Sequence, residues 1–306
     1  MKAKKFIKYM LYRQRNLEQV VPFFRQAGLF QLANEIQGCG VSVRVLVCER
    51  CGTKHFGGFF RCKRRWCILC SWYKAAMEFA RLVPVIEQMM SEGYYFSFMT
   101  FTVKSIFDLA RQRQVVEDSF RRLYQVRQFR KRFCGYVSAV ELTFSAEYGW
   151  HYHMHILLAS KEWGKDYEWI SEEWKRIVND IGSLSASVDV KGVKGGIKGL
   201  VEVLKYLIVS DELVKLPCER AVELVNVYKG LRQYRVAGEI RKRLLNDEAE
   251  ACLDDLEEIV RFVCQRCGYD RSYVEYVLFQ DLVASKEVLF DVVKDREGGY
   301  NDDDSL

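Results

Sequence analysis

No apolar run in the 306-residue chain approaches the ~20 residues that a bilayer-spanning helix needs. The opening stretch MKAKKFIKYMLYRQRN turns polar too soon for the apolar core of an export signal. These absences predict a cytoplasmic protein with no membrane partner. No internal repeat of the length of a structural unit stands out. Histidine is scarce, with four in the chain, yet three of them stand at alternate positions in GWHYHMHILL, residues 149–158. Cysteine is not scarce. An odd count of eleven, grouped in C-x-x-C pairs in a chain without an export signal, points to thiolates holding metal rather than to disulfides.

The formal charge of +6 hides an asymmetry. Residues 246–306 carry 17 acidic and 6 basic side chains, whereas residues 1–245 carry 24 acidic and 41 basic ones. A body this basic attracts polyanions, and its affinity for them should fall steeply with salt. An acidic tail would fold back over that body or repel non-specific DNA. The apolar share of 49% is ordinary for a globular protein of this length.

Periodicity predicts an α+β fold. Residues 1–38 read as helices ending at Gly38, and VSVRVLVC alternates as a strand entering the cysteine cluster. SWYKAAMEFARLVPVIEQMMSEG then has helical spacing, with a kink expected at Pro84 and a stop at Gly93. Residues 94–103 form a strand and 108–129 a basic amphipathic helix. GYVSAVELTF and WHYHMHILLA form two strands, 167–179 a helix, SASVDV a strand, and a helix starts near Gly196. This β-α-β-β-α-β order suits one antiparallel sheet of the split βαβ kind. Three parts are expected: residues 1–93 with helices and the cysteine-rich segment, a core at 94–245, and an acidic, mostly helical tail at 246–306.

Side chains alternate across a strand, so His151, His153 and His155 share one face while Tyr152, Met154, Ile156 and Leu158 share the other. The loop SAEYG makes this the second strand of a hairpin. If Phe144 pairs with Trp150, Glu141 lies opposite His153, and cross-strand Cβ atoms are about 5 Å apart. His153, His155 and Glu141 can therefore converge on one ion. Two imidazoles and a carboxylate leave coordination positions open, which suits Mn²⁺ or Mg²⁺ acting as a Lewis acid.

The pair His153-Met154-His155, with ELTF and its Glu141 upstream, resembles the HUH endonucleases, and most closely the plasmid rolling-circle replication initiators, the Rep proteins. The likeness extends to the strand Thr100-Phe101-Thr102, to CKRRWCILC, to EVLKYL with Tyr206, and to YKGLRQYRVAGEI. The chain departs from the pattern at Ile68, where proline is usual, and at Val209, where lysine is common. The resemblance implies an HUH/RRM-like nuclease core in which Tyr206 attacks a backbone phosphate of single-stranded or locally melted origin DNA. Glu202, one helical turn earlier, would act as general base for a terminating hydrolysis. His151 would flank the site as a supporting or DNA-contacting residue. Host helicase and polymerase are the implied partners. An HUH transposase or relaxase is the nearest alternative, and a non-catalytic zinc-dependent DNA-binding protein is the alternative of another class.

On the tyrosine helix, Ile197, Val201, Leu204 and Ile208 form the expected core stripe, leaving Lys198, Glu202, Lys205 and Tyr206 outside it. A phenol titrates near 10, so it needs polarised phosphate and nearby cations such as Lys198 and Lys205. The cysteine spacing predicts a structural Zn²⁺ held by Cys48, Cys51, Cys67 and Cys70, with Cys62 the first substitute and His55 a weaker one. Between those knuckles, Lys63, Arg64 and Arg65 are offered to a DNA backbone and Trp66 to a base. Cys264 and Cys267 read as a coincidental pair on a helix.

Overall fold

The computed structural model describes residues 3–162, 167–182, 184–192, 196–209, 211–250, 264, 266–269 and 272–278. They fall into two compact units, one drawn from Met1–Ser71 and Ala251–Leu306, the other from Trp72–Glu250. The first contains α1 (Ala3–Arg15), a π turn at Asn16–Val20, α2 (Val21–Gln26), α3 (Phe30–Gln37), β1 (Ser42–Cys48), β2 (Lys54–Phe59) and the start of α4 (Ile68–Ser91). Alternation in β1 buries Val43, Val45 and Val47, as its sequence predicts. The buried Asn16 carboxamide accepts from the Ile68 amide at 2.9 Å and donates to the Cys67 sulfur at 3.2 Å, holding the cysteine loop to the helices.

The second unit continues with β3 (Tyr95–Val103), α5 (Leu109–Gln125), α6 (Arg127–Arg132), β4 (Phe133–Ser145) and β5 (Gly149–Ser160). It then runs through α7 (Glu168–Gly182), β6 (Ala186–Gly192), α8 (Gly196–Leu204), α9 (Cys218–Val227), β7 (Tyr234–Ala237) and α10 (Gly238–Glu250). Its five-stranded sheet has the order β6-β3-β5-β4-β7, with every neighbouring pair antiparallel. The split βαβ core is thus present, and β7 adds an edge that four short residues did not announce. Gly93, at φ 86°, follows α4, and Pro84 lies inside that helix.

β5 is central, and its two faces differ. Tyr152, Met154, Ile156 and Leu158 are buried on one, where Phe101 of β3 meets Phe120 of α5 and Trp174 of α7. On the other, Leu157 and Ala159 pack with Leu82 and Ile86 of α4, Leu200 and Val203 of α8, and Ile240 of α10. Helices therefore cover that face at its 157–159 end, and the imidazoles occupy the rest of it. Each large aliphatic side chain so buried contributes roughly 1.5–3 kcal/mol.

A second anchor is ionic. Glu117 of α5 accepts from Tyr152 Oη at 3.1 Å, from Arg235 of β7 at 2.9 Å and from Arg113 at 3.4 Å. The hydroxyl of Tyr152, on the face opposite the histidines, is thereby tied to a helix and an edge strand at once.

After α10 the next described strand is β8 (Ser272–Leu278), which pairs antiparallel with β1 to give the first unit a sheet ordered β2-β1-β8. Chain order alone cannot show that the tail returns to the N-terminal sheet, so the linear division at 93 and 245 differs from these units. Most of the tail expected to be helical lies outside the described residues.

The hairpin turn before β5 places Gly149 at φ 87°, where a Cβ would stand 2.5 Å from the Ile106 carbonyl. Gly149→Ala should destabilise the protein by roughly 1–3 kcal/mol, read as a lower urea midpoint; unchanged stability would show that the turn has another conformation.

Candidate active site and metal-binding clusters

The β4–β5 ladder pairs Phe144 with Trp150 and Glu141 with His153, the register that the five-residue loop predicts. On the other edge, β3 sets Thr102 beside His153 and Thr100 beside His155. The ligand atoms of Glu141, His153 and His155 lie within 4.8 Å of one another. His155 Nε2 donates to Glu141 Oε2 at 3.0 Å, since a carboxylate only accepts, and Thr100 Oγ1 lies 3.0 Å from Nδ1, fixing the ring plane. Thr100 is a positioning residue that the strand motif contained without revealing its task. His151 is not in the group: its Nδ1 lies 2.8 Å from Ser105 Oγ.

Electrostatics match a cation site. The His155 hydrogen bond holds the Glu141 carboxyl below its ordinary value despite burial. Burial likewise holds His153 below the usual imidazole value of 6.5, so it offers a lone pair at neutral pH. Two imidazoles and one ionised carboxylate with open positions fit a divalent cation such as Mn²⁺ or Mg²⁺, with the nitrogen donors favouring Mn²⁺.

Tyr206 lies on the same site. α8 stops at Leu204, and Tyr206 belongs to a tight turn, Lys205–Leu207, that ends the helix. Its ring stacks on His155 with centroids 3.7 Å apart and planes 4° apart. Gln233 Nε2 donates to its carbonyl at 2.9 Å. Burial, then the Glu141 charge, pushes the phenol up, while Lys205 opposes them. The buried stripe is Leu200, Val203, Leu204 and Leu207, with Ile197, Val201 and Ile208 at its margins. The segment is apolar at all these positions, so period alone could not choose among them.

Glu202 is hydrogen-bonded to Lys205, whose Nζ lies 5.1 Å from the Tyr206 ring centroid. Lys198 is exposed. In the first unit, Arg64 forms a two-point ion pair with Glu35, at 2.5 and 2.6 Å, and Arg65 lies over Trp66 at 5.6 Å. Lys63 is exposed at φ 55°, at a sharp bend of the loop.

The cysteines correct the expected zinc site. Cys48 and Cys51 do not join Cys67 and Cys70. Cys67 and Cys70 group with Cys62 and with Cys39, which the spacing did not bring forward; Cys48 and Cys51 group with Cys264 and Cys267. The reason is topological: Cys39 precedes β1 and Cys48 ends it, so the length of the strand separates them. In the first group the Cys39 and Cys62 sulfurs lie 3.5 and 3.7 Å from that of Cys70, whose thiol is held low by hydrogen bonds from Cys39, Cys62 and Cys67. Such clusters could hold a metal such as zinc. His55 is buried in β2 and belongs to neither group.

A family model described as "Replication protein" matches residues 56–267. The chain is 27% identical over 295 residues to a Protein rep from Lentilactobacillus hilgardii, covering 85% of this chain and 93% of that one. It is 31% identical over 147 residues to a Protein rep from Bacillus amyloliquefaciens, covering 45% and 42% of the two chains. A Protein rep from Staphylococcus aureus is 28% identical over 157 residues, covering 47% and 68%. No solved structure matches the chain.

Two measurements check the cation site. Mn²⁺ affinity, followed by calorimetry, should stay level from pH 8 to about 6.5 and fall only below that, as His153, held low by burial, takes up its proton. Thr100→Val should weaken it roughly 10–100-fold by freeing the His155 ring. An affinity that rises on acidification, or that ignores Thr100, would place the cation elsewhere.

Proposed function

Because the chain belongs to the Rep family of replication proteins, we propose that it initiates rolling-circle replication of a plasmid or related mobile element by nicking one DNA strand at an origin. The observation that carries this reading is the stacking of Tyr206 on His155, beside Glu141 and His153, within one sheet face. A nucleophile-bearing residue and a cation-binding set at that spacing support phosphodiester transfer.

The phenolic oxygen of Tyr206 attacks the phosphorus in line. The P–O3′ bond breaks, its electron pair goes to O3′, and that oxygen takes a proton to become a free 3′-hydroxyl. The phosphate keeps its bond to O5′ of the following nucleotide and is now esterified to Tyr206, and the phenolic proton passes to water. A divalent cation at Glu141, His153 and His155 would supply positive charge to the non-bridging oxygens. Lys205 adds charge next to the phenol, and Thr100, at the Nδ1 side of the ring, keeps His155 from turning. The 3′-hydroxyl is then available to a host polymerase, with a host helicase opening the duplex.

Termination needs a second cut, which a tyrosine already bonded to DNA cannot make. Glu202, at the end of α8, takes the proton from the water that makes it. Its ion pair with Lys205 holds that carboxylate close to the tyrosine turn.

Incubation of the protein with Mn²⁺ and an intact single-stranded origin oligonucleotide tests the first cut, and replication of a circular origin-bearing template tests termination. Tyr206→Phe should lower covalent adduct at least about 10³-fold while origin binding is retained. Glu202→Gln should form the first adduct normally yet accumulate products longer than one template unit. Adducts in Tyr206→Phe would assign another nucleophile, and normal termination in Glu202→Gln would remove the base role from that residue.

A further inference from the structure

Cys264 and Cys267 are not a coincidental pair. CERCG at 48–52 and CQRCG at 264–268 share four of five residues, and their described residues make matching backbone hydrogen bonds. In each, the glycine amide donates to the carbonyl of the first cysteine, at 2.9 Å from Gly52 to Cys48 and 2.7 Å from Gly268 to Cys264. The amide of that first cysteine in turn donates to the residue after the glycine, Cys48 to Thr53 at 3.0 Å and Cys264 to Tyr269 at 2.8 Å. Gly52 and Gly268 stand at φ 69° and 71°, a left-handed conformation that explains glycine at both positions. Two matching knuckles that face each other present four sulfurs to one point.

The sulfur spacing identifies what fits there. Cys48 and Cys267 are 3.6 Å apart and Cys51 and Cys264 3.5 Å apart, each contact joining one knuckle to the other. A disulfide would require about 2.0 Å. A tetrahedron of thiolates at about 2.3 Å from Zn²⁺ has edges of about 3.8 Å. All four sulfurs lie within 4.8 Å of one another. Cys48 and Cys264 are buried, with Leu46 and Tyr269 packed against them.

We propose that Cys48, Cys51, Cys264 and Cys267 bind a second zinc ion, which clips the chain after residue 263 to the N-terminal sheet. The consequence is structural. β8 pairs with β1 along seven residues, from Ser42 opposite Leu278 to Cys48 opposite Ser272, and the cysteines sit at one end of that ladder. A ladder that closes a loop of more than 200 residues has a large closure entropy to overcome, and a metal clip at its end makes closure and metal binding one event. The inference does not depend on the DNA chemistry.

Full-length protein purified without chelators should contain two zinc ions per chain by metal analysis. The double variant Cys264→Ser/Cys267→Ser should contain one and lose amide-exchange protection in β1 and β8, with the sheet of the second unit unchanged. One zinc in the wild type, iron in place of zinc, or two zinc ions in the variant would overturn the proposal. Should the variant not fold, the wild type decides alone. Cys51 is exposed, so as a free thiol it would be alkylated quickly. Zinc-loaded protein should protect it together with Cys48, Cys264 and Cys267, and a strong chelator should expose all four together. Rapid alkylation of Cys51 in zinc-loaded protein would contradict the site.

Discussion

β5 has a neighbour on each edge, and that double pairing governs the chemistry of the second unit. β3 and β4 between them set its register, so a one-residue slip would exchange the imidazole face for Tyr152, Met154 and Ile156. Burial of that second set under α5 and α7 makes the slip prohibitively costly. His153 is therefore held between Thr102 and Glu141, and His155 between Thr100 and Ala139. The cation-binding set needs no loop to assemble it. It follows from alternation, a five-residue turn and two ladders, which together hold the three side chains on a rigid support.

The same support holds the tyrosine back. Burial and the Glu141 charge push the Tyr206 phenol above its ordinary value, and Lys205, which opposes them, is shared with Glu202. Arg64 is engaged by Glu35 in the other unit. Several cations that composition offers to DNA are thus already paired. Contact with DNA at such positions would mean exchanging a carboxylate partner for a phosphate, which lowers the net gain of each contact.

How legible all this was in the sequence depended on distance along the chain. The hairpin register needed only a loop length, and the strand faces needed only alternation, so Glu141, His153 and His155 could be placed before any coordinates. The turn that ends α8 could not, because Leu204, Leu207 and Ile208 are apolar whichever way the helix winds. β7 is four residues long and half-buried, too short for a period to register. The cysteines were misgrouped for a different reason. Spacing ranks neighbours in sequence, whereas β1 separates Cys39 from Cys48 by its whole length and the tail returns from more than 200 residues away. A signal for that return was present, in the shared C-x-R-C-G of the two knuckles, and only comparing distant segments with each other would have found it.

The most direct test of the central claim is to locate the DNA on the protein. Wild-type protein is incubated with Mn²⁺ and an origin oligonucleotide, digested with protease and nuclease, and the nucleotide-bearing peptide is sequenced by mass spectrometry. The arrangement of β5 and the tyrosine turn predicts a phosphodiester on Tyr206 alone, absent when Mn²⁺ is withheld; linkage to any other tyrosine, or to Tyr206 without a divalent cation, would contradict it.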